Sequence, residues 1–484
     1  MRHVASEDRW YEVPDALGFR DYLRFPDLFA AFAAKRGATA DLTDWRPQRY
    51  DWFPYPKWVG GYRQMTTPDA VDRVVYRLLA FNVAFLSDPS LSGHVFGNRL
   101  LRPGASSIRV PTKAWVEFKN YQLASLSANA WGYTCVSDLS GFYLAINTEL
   151  FCNRLRERSI PEHLVQPLER LFNKWHSGKE FRGLPVGGES SGVLSNTFLL
   201  PVDELLSKYA GDHGMYGDDF AIFAPEVGAG RAILEILDET FSNHLGLKRN
   251  IAKTHEFTDP EEAADYIENH LLASIEVLEE IGDDETATHK LYALWDERVM
   301  PNPSPDAAEV HFVLARLGKR ADTYAVAGLL QRSDLLQVDP KASIGYLTRT
   351  AVRDQEIAER LCLLLDMPPT VTSEAMQLHI CRFLASASRT SAVAAVTERV
   401  LDDGHGFRGQ TRAMAAQARS RCPNWHHADA IDRADADASF LVRRSLIGTT
   451  RGMNEHLPTR TLALRELARR DPALTPTAAW ALAA

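Results

Sequence analysis

The spacing of hydrophobic and polar positions changes once along the chain. In the first half, "WGYTCVSDLSGFYLAI" (131–146) and "GMYGDDFAIFAP" (214–225) carry the aromatic and β-branched density of strands. Between such runs, "DAVDRVVYRLLAFNVAFL" (69–86) spaces Val71, Val74, Val75, Leu78 and Leu79 like one face of a helix. The first half therefore reads as α+β. After the proline-rich "MPNPSPDAAE", which begins at Met300, only helical spacing remains. Val310, Val313, Leu314 and Leu317 form one stripe, and Ile357, Leu361, Leu364 and Leu365 a second. Met376, Ile380, Phe383 and Leu384 form a third, and Val393, Val396, Val400 and Leu401 a fourth. Short helices separated by turns such as "MPP" and "DDGHG" predict an all-α helical-repeat domain. The expected division is a mixed region over 1–258, an acidic helical linker over 259–305 and the helical domain over 306–484.

Composition narrows the class. A chain of 484 residues with 45% hydrophobic content fills two or three cores. No run of eighteen apolar residues occurs, and the charged start "MRHVASEDRWYEVPD" lacks the apolar centre of a signal peptide, so the expectation is a cytoplasmic protein with no membrane partner. Five scattered cysteines without a CxxC predict neither disulfides nor a zinc site. The net charge of −9 weighs against nucleic acid until it is placed along the chain. Residues 1–137 hold seventeen Lys+Arg against thirteen Asp+Glu, a net of +4, whereas residues 256–298 hold two against fourteen, a net of −12. The acidity is one belt, expected to be a solvated face or linker.

The candidate chemistry lies in the first half. Gly217-Asp218 is a tight-turn dipeptide between apolar runs, which predicts a β-hairpin with Asp218 and Asp219 at its bend. Buried adjacent carboxylates repel each other, and a divalent cation removes the repulsion; an exposed turn is the plainer alternative. Asp138 closes another apolar β-type run, where it is either a helix N-cap or a second acid facing the first. Acids ending two neighbouring strands would serve two metals about 4 Å apart, the arrangement of in-line phosphoryl transfer. Between the acids, "FRGLPVGGESSGVLSNTFLLPVDELL" supplies Gly183, Gly187 and Gly188 as a close-approach loop, with Ser190 or Ser191 opening an apolar helix. Downstream, Lys248, Arg249 and Lys253 are either a solvated basic turn or phosphate contacts. His426-His427 suggests a surface or capping role, and His213 a structural one.

Taken in order, Asp138 with Phe142-Tyr143, "GLPVGGESSGVLSN", "YGDD" and "GLKRNIAKT" resemble palm motifs A to D of reverse transcriptases. Upstream, "YPKWVGGYRQMTTPDAVDRVVYRLL" is similar to the fingers of the same enzymes, so the resemblance spans roughly residues 50–258. It implies an α+β right-hand polymerase, with fingers and a ferredoxin-like palm, ahead of the all-α helical-repeat domain. By the resemblance, Asp138 and Asp218 hold two Mg²⁺ (or Mn²⁺) ions with Asp219 as their neighbour, and Lys57 and Arg63 neutralise a triphosphate, with Arg73 a further fingers contact. Tyr143 takes the place of the bulky side chain set against the sugar C2′, a steric gate that favours deoxynucleotides. Gly187 and Ser191 shape the loop beneath template and nucleotide, and Lys253 matches the motif D lysine.

The chain departs from that family at Val186, where most members carry Gln, and it lacks the "VTG" and "NAxxH" signatures of retron enzymes and a zinc-like endonuclease tail. The helical domain after the palm resembles the bacterial abortive-infection and related phage-defence reverse transcriptases. Some of that group make DNA without a template from a protein hydroxyl, and Tyr324 and Tyr346 are among the hydroxyls here. The implied partners are dNTPs, RNA or DNA including a dedicated noncoding RNA, and a second copy through the helical domain. An RNA-dependent RNA polymerase is the alternative enzyme, against which the Tyr143 ring stands. A catalytically silent binding scaffold is the other alternative, against which the intact acids Asp138, Asp218 and Asp219 stand.

Overall fold

Two strands, β1 (Asp51–Pro56) and β2 (Tyr62–Thr67), pair as a two-stranded sheet. They occur in a computed structural model that describes residues 1–483 apart from 9–10, 40–41, 43, 49–50, 58–60, 104, 129–130, 178–182, 269, 368–371, 388, 403–405 and 454–456. Trp58 to Gly60, Phe181 and Arg182, and parts of the "MPP" and "DDGHG" turns lie outside the described residues. The chain forms two compact units. A helical unit comprises Met1–Ala33, Trp52–Met65 and Ser274–Ala484, and a sheet unit comprises Ala34–Asp51 and Thr66–Ala273.

The sheet unit is built on β3 (Tyr133–Ser137), β4 (Asp212–Tyr216), β5 (Asp219–Ala224) and β6 (His255–Phe257), in the order β4-β5-β3-β6. All neighbours are antiparallel, with Cys135 opposite Ile222, Gly214 opposite Ala221 and Val136 opposite His255. Helices join β3 to β4 and β5 to β6, giving the β-α-β-β-α-β arrangement with its two crossovers. The apolar content of β5 is explained by burial on both faces: Ala221 and Phe223 join Leu126, Ala263 and Ile267 in one cluster, and Ile222 and Ala224 are fully buried as well.

Three helices frame this sheet. In α1 (Ala70–Ser87), Asp69 caps the N-terminus by accepting from the Val71 N–H at 2.9 Å. Its buried stripe is Val71, Val75, Leu79 and Val83, and Leu78, expected on that face, is 54% exposed. α2 (Pro111–Ala128) precedes β3, and α3 (Glu189–Tyr209) follows the Gly-rich loop. β3 ends at Ser137, beside the Asp138 that closes the run, and does not continue into the strand-like Phe142-Tyr143. Gly141 sits at φ 58°, and Phe142–Ala145 forms one helical turn. Gly141 is also the residue that caps that turn, so the N-cap alternative for Asp138 is not what forms.

In the helical unit, α4 (Ala307–Lys319), α5 (Gln355–Asp366), α6 (Glu374–Leu384) and α7 (Ser391–Leu401) bury the four apolar stripes, except that Leu364 is only half-buried. The unit also draws in the first residues of the chain. Arg444, in α8 (Phe440–Thr449), donates from Nε to Asp21 Oδ2 at 2.8 Å and from Nη1 to Asp15 at 2.5 Å. Part of the acidic belt is paired rather than simply solvated: Arg316 bonds Glu276 at 2.7 Å and Glu279 at 3.0 Å, and Arg320 bonds Glu279 at 2.9 Å. His426 occupies an N-cap position without a side-chain capping bond, and His427 is buried. All five cysteines are free and buried. Among the described residues no helix is long and apolar enough to cross a membrane.

Candidate active site

The register of the sheet brings the acids together. The last β3–β5 pair is Ser137 with Phe220, so one step further the register reaches Asp138 and Asp219, while the β4–β5 turn is Gly217-Asp218. Residues opposite one another on adjacent strands share a face at close range. Burial, then the negative charges of Asp218 and Asp138, push the Asp219 carboxyl up to about 7. Lys253 Nζ donates to Asp138 Oδ2 at 2.7 Å, and that bond together with the surrounding carboxylates holds its ammonium above the ordinary lysine range. Asp138 Oδ1 is buried and has no hydrogen-bond partner among the described residues. A buried carboxylate oxygen left without a donor is costly, and a cation removes the cost. That orphaned oxygen, with Asp219 across the sheet register and Asp218 in the turn, is the kind of donor that Mg²⁺ or Mn²⁺ takes.

Tyr143 stands beside these acids. Burial, then the charge of Asp218, keeps its hydroxyl protonated well above the usual tyrosine range. The Gly-rich loop fixes the backbone beneath it. Leu184 N–H donates to Tyr143 O at 2.7 Å, and a Cβ on Gly183 would lie 2.3 Å from Leu144 Cα, so only glycine fits there. Gly187 and Gly188, both at positive φ, turn the chain into α3. Val186 O accepts from Thr66 N at 3.3 Å.

Ser191 is fully buried and its hydroxyl meets Tyr76 OH at 2.9 Å, which makes it part of the packing of α1 on α3. Arg249, offered as part of a basic turn or a phosphate contact, forks onto Asp238 at 3.0 and 2.7 Å. Lys57 and Arg63 are exposed on the β1–β2 hairpin of the helical unit. Tyr346 is buried, with its hydroxyl donating to Asp322 O at 2.8 Å, and cannot present a primer hydroxyl while folded.

Residues 55–290 match the family described as reverse transcriptase (RNA-dependent DNA polymerase). The chain carries a reverse transcriptase domain. It is a nucleotidyltransferase on that account. No curated protein matches the chain. Among solved structures it is similar to the telomerase from Candida albicans in complex with the TWJ fragment of telomeric RNA. That likeness has 11% identity and a TM-score of 0.33, covering 73% of this chain and 70% of that one.

Two features of the reverse transcriptase domain leave almost no mark in the sequence. The segment before Gly97 pairs with β4: Phe96 N–H donates to Met215 O and Met215 N–H to His94 O, each at 2.8 Å. Gly97-Asn98 then lies against the β4–β5 hairpin, and its only signal in the sequence is a Gly-Asn turn dipeptide. Nearby, His94, Asp212 and His213 bring ligand-type atoms within 4.8 Å of one another. Tyr121 OH bonds both His94 Nδ1 and Asp212, Ser125 Oγ donates to Asp212 at 2.6 Å, and His213 Nε2 lies 3.3 Å from Asp203. These atoms already satisfy one another, and the set braces β4. That agrees with the structural role expected of His213.

Proposed function

We propose that the reverse transcriptase domain is a DNA polymerase that joins dNTPs by two-metal phosphoryl transfer, with Asp138, Asp218 and Asp219 as its metal ligands. The observation that supports it most is the buried, partnerless Oδ1 of Asp138 beside a carboxyl raised to about 7 at Asp219. Two Mg²⁺ or Mn²⁺ ions held there would supply the charge neutralisation that the transferring phosphoryl group and departing pyrophosphate need. The chain's own contribution is positional. The β3 end and the β4–β5 turn hold the acids on one face, and Lys253 fixes one oxygen of Asp138 while leaving the other free. The Tyr143 ring, on a backbone whose carbonyl accepts from the Leu184 N–H, excludes a 2′-hydroxyl and favours deoxynucleotides.

The same reading includes a role in phage defence of the abortive-infection type, with a cytoplasmic location and self-association through the helical repeats. It rests on the helical unit that follows the polymerase domain. Absence of the usual Gln at position 186 supports synthesis that depends less on a template, from RNA or from none. The test is incorporation of labelled dNTPs and NTPs by the purified chain with Mg²⁺, with and without an RNA template, alongside nuclease treatment of the protein to release any covalently attached DNA. The reading expects dNTPs to be preferred and Tyr143→Ala to admit NTPs. No incorporation of either, or equal use of both by the unaltered chain, would end it.

A further inference from the structure

We infer that Arg102, Arg109 and Lys113 form a surface that holds the phosphates of a single nucleic-acid strand beside the β4–β5 turn. The inference rests on the polymerase reading, which supplies the strand. Residues 99–119 contain Arg99, Arg102, Arg109, Lys113 and Lys119 against Glu117 alone, a net of +4. That equals the net charge of residues 1–137 as a whole, so the remainder of that region is neutral and its basic excess is one local patch. The chain doubles back within it. Leu100 and Ile108 form an antiparallel bridge, Leu101 N–H donates to Ser107 O at 3.0 Å, and Arg109 N–H donates to Arg99 O at 2.9 Å. Both ends of this paired segment are pinned beside the turn that carries Asp218. On the near side, a Cβ on Gly97 would lie 2.9 Å from Gly217 N. On the far side, Tyr216 OH donates to Pro111 O at 3.1 Å, and Trp115 meets the Tyr216 ring edge-on at 5.0 Å. Arg109 and Lys113 each stand two residues from Pro111.

The five cations are not equivalent. Arg99 serves the fold: half-buried, it donates to Asp88 Oδ1 at 2.9 Å and to Ser92 O at 2.8 Å. Lys119 Nζ lies over the Trp115 ring, 5.9 Å from its centroid. Arg102 and Lys113 are exposed and have no ion-pair partner among the described residues. Arg109 has only Glu117 at 3.6 Å, an exposed pair that solvent renders weak. Exposed cations on a fixed support are what a phosphate backbone takes, and release of its counterions drives the binding. The location adds a reason for them. Carboxylates crowded at Asp138, Asp218 and Asp219 repel a polyanion, and cations pinned beside the same turn offset that repulsion. Leu101, Val110 and Val116, next to these cations or within a turn of them along the chain, are exposed as well. Unpaired bases present apolar faces that can cover such side chains, whereas a duplex keeps its bases inside, so a single strand fits the surface better.

The experiment measures the affinity of the full chain for fluorescently labelled single-stranded RNA and DNA by anisotropy, at a fixed low Mg²⁺ concentration and a series of KCl concentrations. The proteins are the unaltered chain, Arg102→Gln/Arg109→Gln/Lys113→Gln, and a control, Arg158→Gln/Lys174→Gln/Lys208→Gln, with the same charge change elsewhere in the sheet unit. Three phosphate contacts contribute a slope of about −2 to log affinity against log salt for a single strand. The first triple variant should therefore show a slope shallower by about 2 and bind about 100-fold more weakly at about 0.1 M salt, with its melting temperature unchanged. The control should keep the slope of the unaltered chain. An unchanged slope in the first variant, an equal loss in the control, or no binding of either strand by the unaltered chain overturns the inference. Incorporation of labelled dNTPs by the same proteins separates the premises. A first variant that incorporates with an unchanged KM for the strand refutes this surface and leaves the polymerase standing. An unaltered chain that binds strands through these cations and incorporates nothing keeps the surface and removes the polymerase reading.

Discussion

Replacing Asp219 by asparagine should stabilise the metal-free protein while disabling it. The carboxyl of Asp219 is pushed from 3.8 to about 7 by burial and by Asp218 and Asp138. Each tenfold change in proton affinity corresponds to about 1.4 kcal/mol between the two protonation states, so a fully charged Asp219 sets a ceiling of about 4 kcal/mol. Because the residue is only partly buried, water halves this to about 2 kcal/mol. The sign follows from proton linkage. A folded-state value above the unfolded one means that the folded state holds the extra proton between about pH 4 and 7, so stability falls as pH rises through that window and the deficit is complete above it. Asp219→Asn removes the deficit. In EDTA at pH 8 the variant should melt about 4–8 °C higher than the unaltered chain, shrinking to about a third of that at pH 5. Adding Mg²⁺ should raise the melting temperature of the unaltered chain and narrow the gap. Thermal melting by circular dichroism at both pH values, with EDTA and with Mg²⁺, reads all three. A variant that melts no higher at pH 8, or equally higher at pH 5, refutes the crowding of acids on which the metal reading depends.

Three further outcomes are expected. Arg444→Met should cost about 3–5 kcal/mol in urea denaturation, because it leaves Asp21, which is fully buried and whose carboxyl Arg444 helps to hold below the usual range, without its partner. Burial holds the His379 imidazole down at about 3, so the unfolded state takes up the extra proton below about pH 6.5; stability should fall by about 2 kcal/mol between pH 6.5 and 5, and His379→Gln should flatten that limb of a stability–pH profile. Gly183→Ala should cost about 1–3 kcal/mol and lower incorporation, since its Cβ would lie 2.4 Å from Tyr143 O and force the backbone beneath the gate to move; unchanged stability and activity would show that this contact yields freely.

What the sequence shows and what it hides divide along physical lines. The β4–β5 hairpin is legible because a Gly-Asp turn between two apolar runs has few other folds, and the α4 to α7 stripes are legible because burial on one face repeats at helical spacing. Leu78 misleads, because an apolar residue at the edge of a stripe carries no mark of which side faces solvent. Phe142–Ala145 misleads because strand-like residues continue past the point where Gly141 turns the chain. The fork of Arg249 onto Asp238 and the inward turn of Ser191 to Tyr76 are tertiary matters, set by which elements meet. The Gly97-Asn98 turn stays hidden because it is set by a left-handed backbone and by two glycines far along the chain. The helical unit takes in residues 1–33 and the 52–65 hairpin, a grouping that boundaries drawn along a sequence cannot express.

The most direct test of the central claim is the rate of labelled dNTP incorporation by Asp138→Asn, measured on protein whose melting temperature matches or exceeds that of the unaltered chain. Asparagine keeps the shape at the end of β3 and removes the charge that the orphaned Oδ1 would bring to a metal. Loss of several kcal/mol of charge stabilisation predicts a rate lower by about 10³-fold or more. Incorporation within tenfold of the unaltered rate, with the fold intact, would contradict the account.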